Sequence, residues 1–145
     1  EAWETLVHEL RHHLEWRAHV AALEAYDWAA EENFKRHEGQ AFDPAYYRAG
    51  EVVAPDVYKI DDDMFIERPS ERGGAADVVW HGHRYRVPIP AAAPEASLFL
   101  RLVGLSEPAP GDTLLVLPGA ASLRGLLRSS PAPLEQDVTV ESLDA

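Results

Sequence analysis

Trp3, Val7, Leu10, Leu14, Ala18 and Ala21 recur at steps of three and four residues, the spacing of a buried helical stripe. The pattern predicts a helix over residues 2–19, with His8, His12, Glu15 and His19 as the neighbouring row at the edge of the apolar face. No Gly or Pro interrupts residues 2–37. Asp27 is suited to cap a second helix from Trp28 to about His37, ended by Gly39, with residues 20–26 as the turn. Gly39, Pro44, Gly50 and Pro55 then mark residues 38–57 as a long connector.

Beyond it the period changes from helical to alternating. Short strands are predicted at 57–60, 64–67, 76–80, 83–87, 97–103 and 113–117, with 76–87 a hairpin turning at His81-Gly82. Residues 121–128 suit a short helix. The Pro- and acid-rich stretch 129–145 reads as a mobile tail, although Val138-Thr139-Val140 is able to add a strand. The expected class is α+β: a helical segment over 1–50, then a small antiparallel β-module over 51–128.

Charge and composition narrow the function classes. A net charge of −12 disfavours nucleic acid and anionic membrane surfaces as partners. The absence of cysteine excludes a disulfide framework and any thiolate zinc site. No apolar run is long enough to span a bilayer. No secretory signal is visible and a cytoplasmic location is expected, but the chain begins at Glu1 rather than Met, so an upstream signal stays open.

The candidate chemistry lies in His8-Glu9-Leu10-Arg11-His12. Two histidines four apart leave one helix face about one turn, roughly 6 Å, apart. That bite suits tetrahedral Zn²⁺, with Glu9 free to touch a metal-bound water. This segment resembles the active-site helix of zinc metallopeptidases. Eighteen residues separate His12 from Glu31 and nineteen separate it from Glu32, a spacing similar to that of the gluzincins. The resemblance implies His8, His12 and Glu31 as zinc ligands and Glu9 as general base, with Glu32, then Glu24 and Asp27, as alternatives to Glu31. It implies hydrolysis of a peptide or protein substrate. Tyr46, Tyr47 and His19 are the candidates to stabilise the oxyanion, although the tyrosines also suit packing of the connector. One condition attaches: an unbroken helix would put Glu31 about 28 Å from His12, so the third ligand requires a break near residues 20–27. Zincin folds also carry a sheet before this helix, and only seven residues precede His8, so the chain is expected to be a piece.

The β-region carries a second resemblance. Gly73-Gly74, Asp77-Val78-Val79-Trp80, Arg84 to Pro90, Leu98 to Gly104 and Gly111 to Leu117 follow one another in an order similar to the C-terminal β-domain of DnaJ-type co-chaperones. It implies a module that accepts an extended peptide at a sheet edge, the alternative to peptidase activity. His81 and His83 would share a strand face as a weak metal pair, unless His81 sits in the turn. Asp61-Asp62-Asp63 reads as a solvated turn. A long helix also invites pairing with a copy of itself, but Arg17 and Glu24 interrupt the heptad positions and disfavour a coiled coil.

Overall fold

Residues 2–37 form one continuous helix in the computed structural model, which describes residues 2–69, 72–119 and 132–144. Helix α1 (Ala2–His37) is followed by a short 3-10 turn (Tyr46–Ala49). Nine strands come next among the described residues: β1 (Glu51–Ala54), β2 (Val57–Ile60), β3 (Asp63–Glu67), β4 (Ala75–Trp80), β5 (His83–Pro88), β6 (Leu98–Val103), β7 (Thr113–Leu117), β8 (Leu134–Thr139) and β9 (Glu141–Ser142). The strands make a six-stranded sheet, ordered β1-β2-β3-β7-β6-β8, and a three-stranded sheet, ordered β4-β5-β9.

The burial of each strand follows from what covers it. Both faces of the large sheet are buried at its centre, so β7 reads Thr-Leu-Leu-Val-Leu without a solvent-facing position. Leu115 and Leu117 of β7 and Leu98, Leu100 and Leu102 of β6 face the small sheet. There they meet Val78, Trp80, Tyr85 and Val87. Leu114, Val116, Phe99 and Phe65 point the other way, under Tyr46, Tyr47 and Ala29. In β4 only alternate residues are buried, because its other face meets water. The β4–β5 hairpin turns through His81 and Gly82, both at positive φ (49° and 76°), the geometry of a type I′ turn.

Two expectations are corrected. The helical segment is not two helices with a turn at residues 20–26. That stretch holds Ala21, Ala22, Leu23, Glu24 and Ala25, all strong helix formers, and Asp27 lies inside the helix instead of capping a second one. Nor is the β-region a purely antiparallel module. β3 pairs β7 in parallel, with β4 to β6 between them in the chain, and β6 pairs β8 in parallel, with β7 between them. The α+β content stands, as a single long helix with a mixed sheet and a small antiparallel sheet; the zincin-like segment feeding an antiparallel module does not. Residues 134–142, expected in the tail, supply β8 and β9. The expected helix at 121–128 lies outside the described residues. No helix is long and apolar enough to cross a membrane among the described residues.

Candidate functional site

Helix α1 has two unlike ends. At its C-terminal end Ala29, Glu32, Asn33 and Arg36 are buried against the β-domain. These residues are three, four and seven apart, so they share one face. Arg36 is the centre of the contact, with a side chain of 0% relative exposure. Its Nη1 donates to Glu135 Oε1 at 2.8 Å and its Nη2 to Asp63 Oδ2 at 3.1 Å, with Asp112 Oδ2 at 3.4 Å. Its Nε donates to the Tyr46 hydroxyl at 3.0 Å. Tyr46 in turn donates to Asn33 Oδ1 at 2.5 Å, and Asn33 Nδ2 donates to Asp63 Oδ2 at 2.8 Å, closing a ring of polar contacts.

The electrostatics follow from this ring. Burial alone would raise the pKa of Asp63, but donors from Asn33, the Asp112 backbone N–H and His37, with the charge of Arg36, hold it below 3.8. Burial works against the charge on Arg36, yet its contacts with Tyr46 and Glu135 leave the guanidinium more firmly protonated than usual. Burial drives the Tyr46 phenol up, against the opposing pull of Arg36, so it stays an O–H donor. Burial also raises Tyr47, helped by its hydrogen bond to Glu67 at 2.6 Å.

His37, Asp63 and Asp112 bring one possible metal-donor atom each to within 4.8 Å of one another. His37 Nε2 lies 2.6 Å from Asp63 Oδ2, beside a cleft of about 290 Å³ lined by Asn33, Phe34 and Asp61 among others. The cation position between the two carboxylates is taken by Arg36 Nη2, which lies close to both. A divalent ion there would face a buried guanidinium a few ångströms away, so the group works as an ion-pair anchor. Arg101 completes it from the outside, 3.3 Å from Asp112 Oδ1 and 2.6 Å from Asp137 Oδ1.

The other end of α1 is open to solvent over most of its length. Its residues are exposed from Trp3 to Ala25 except the half-buried Val20. Trp3 is 71% exposed, Leu10 55% and Leu14 56%, which is unusual for large apolar side chains lying in a row. His8 and His12 stand side by side here, with Nε2 atoms 3.0 Å apart and rings edge to face, both open to solvent. Glu9 is exposed on the same segment.

The structure brings those two histidines together and does not bring Glu31 to them. On one unbroken helix Glu31 lies about 28 Å further along the axis. Glu24 and Asp27 are exposed on intervening turns, and Glu32 is occupied by Lys35 Nζ at 2.7 Å and the Asp43 backbone N–H at 2.9 Å. Tyr46 and Tyr47 are buried in the core beneath the other end of the helix, where Tyr46 bonds Asn33 and Arg36, residues about 32–36 Å along the axis from His12. His19 stays on the exposed stretch of α1. His81 and His83 diverge, His81 toward Glu107 and His83 toward Asp144.

Sequence reasoning missed the anchor altogether. Asp63, which beside Asp61 and Asp62 suits a solvated turn, is 3% exposed and paired with the helix. The other carboxylates on Arg36, Asp112 just before β7 and Glu135 in β8, lie far away in sequence, so no local spacing marks them. The usable signal was Arg36 itself, which continues the helix face begun at Ala29 and Glu32. No protein-family model, curated protein or solved structure matches this chain, so its function has to be argued from the geometry alone.

Proposed function

We propose that this chain is a binding module in which a β-domain holds out a long helix as a docking arm for another protein surface. The observation that carries the reading is the contrast along α1: about two turns fixed by a buried ionic anchor, and more than six turns beyond it along which large apolar residues stay exposed. A lone helix in water draws little stability from itself and normally depends on packing of its apolar face. The anchor fixes the direction in which that face is presented, the specificity role best attested for buried ion pairs. Hydrogen exchange on the protein, isolated together with whatever accompanies it, tests this. Slow exchange across residues 5–25 is expected where the stripe is covered. Exchange at free-peptide rates there, beside a protected β-domain, would rule the arm out.

A second reading keeps the zinc chemistry, because His8 and His12 stand at chelating distance. It assigns Zn²⁺ to that pair and peptide-bond hydrolysis to Glu9 as base, with the metal lowering the pKa of its water toward about 7. On this geometry the third ligand comes from outside residues 2–25. Stoichiometric zinc after purification without chelator, and loss of proteolysis in Glu9→Gln with the zinc retained, are its expected results. A protein that binds no added zinc ends it.

A further inference from the structure

The face of α1 that docks on the β-domain and the face left bare are one stripe. Counting back in elevens from the buried Arg36 gives Ala25, Leu14 and Trp3; from the buried Ala29 it gives Ala18 and Val7; from the buried Glu32 it gives Ala21 and Leu10. Eleven residues over three turns is about 3.67 per turn, close to the straight-helix value, so the rows stay aligned without the supercoil a heptad demands. This removes the objection raised by Arg17 and Glu24, which interrupt heptad positions but flank the eleven-residue stripe. An interface that already exists in the chain therefore continues, in register, onto an exposed surface.

What covers it is legible in how size is distributed. The large members, Trp3, Val7, Leu10 and Leu14, all lie in the first half, and the small members, Ala18, Ala21 and Ala25, all lie in the second. A parallel copy would set large on large and small on small, leaving gaps along half the contact. An antiparallel copy centred on Leu14 sets Trp3 against Ala25 and brings Val7 and Leu10 over Ala18 and Ala21. The two Leu14 side chains then meet at the centre. Flanking charge agrees: Arg11 and Glu15 lie on the same edge of the stripe, and the antiparallel register brings Arg11 of each helix beside Glu15 of the other. The overlap spans about 33 Å and covers on the order of 1,200 Å² in total, the low end for a specific interface.

We propose that the bare stripe of α1 docks a second copy of this chain, antiparallel and centred on Leu14. This rests on the reading of the helix as a docking arm and names its partner. The modest area sets the expected strength at micromolar, so association depends on concentration.

The chain holds no cysteine, so single introduced cysteines report contacts without interference. Sedimentation of the full chain over about a hundredfold concentration range is expected to show a monomer–dimer equilibrium. Under mild oxidation Leu14→Cys is expected to give a disulfide-linked dimer and Ala25→Cys is not, while a mixture of Trp3→Cys and Ala25→Cys chains cross-links between the two. Linkage of Ala25→Cys to itself would mean parallel pairing and overturn the proposal, as would a monomer at every concentration. Circular dichroism on each variant confirms that the helix is retained, and Glu4→Cys replaces Trp3→Cys if the latter is not. The two claims separate cleanly: a chain that never dimerises, but whose residues 5–25 are protected from exchange by a different protein, loses the second copy and keeps the docking arm.

Discussion

Residues 29–36 and residues 3–25 belong to one helix and one stripe, yet they are built from opposite materials. The docked end has two alanines, Ala29 buried and Ala30 half-buried, as its apolar contacts, and is otherwise Glu32, Asn33 and Arg36, each engaged by polar partners. The projecting end's row is Trp3, Val7, Leu10 and Leu14 with Arg11 and Glu15 at its edge, and Leu6, Trp16 and Leu23 are exposed off it. Polar rings have strict geometry, so they fix an angle. Apolar rows tolerate small shifts, so they supply attraction without dictating direction. The helix is thereby aimed by one end and made adhesive by the other.

The sharpest way to break this contrast is at Arg36. Arg36→Met strips Asp63, Asp112 and Glu135 of the buried cation they share and should cost about 3–5 kcal/mol in urea unfolding. Next comes Gly111, which gives the loop before β7 its close approach to the anchor. A Cβ there would overlap Asp63 Oδ1 and the Asp62 carbonyl, so Gly111→Ala should cost about 1–3 kcal/mol. Both variants should also free the helix to swing, read as faster exchange at residues 29–36 than at the sheet centre.

A smaller effect is set by pH. Asp63 is held below its ordinary 3.8, so its contribution is fully present above that value. It is lost as pH falls through the lower native value, because the unfolded chain then binds the proton more readily. Stability should therefore decline on acidification below about pH 4, and Asp63→Asn should flatten that slope while lowering stability at neutral pH by about 1–3 kcal/mol. The smallest effect sharpens the contrast from the other side. Leu10→Ala, on the projecting end, should leave unfolding of the dilute monomer within about 0.5 kcal/mol of the parent while weakening the dimer. A large loss of monomer stability there would mean that the stripe already packs within its own chain.

The parts that could be read from the sequence are those fixed by local period. The strands at 57–60, 76–80 and 83–87 fall where alternation placed them, and the His81-Gly82 turn follows from its two residues. The metal site implied for His8, His12 and Glu31 needs a break that the chain does not support, since residues 21–25 are all strong helix formers and residues 20–26 hold no turn residue. Sheet order was out of reach, because the parallel pairing of β3 with β7 is decided by packing across two faces rather than by either strand. The anchor was out of reach for the same reason, its carboxylates being distributed over Asp63, Asp112 and Glu135. The eleven-residue stripe was present in the sequence throughout. It becomes visible once burial of Ala29, Glu32 and Arg36 shows which face to count from.

The hydrogen bond between Arg36 and Glu135 joins residues 99 positions apart. Synthesis runs from the amino terminus, so the sticky half of α1 leaves the ribosome long before the strand that aims it has been made. Closing so long a loop is a late event in folding. Nascent chains thus carry an unaimed adhesive helix until β8 joins the sheet, and anything that shields that helix meanwhile protects the whole molecule from premature aggregation.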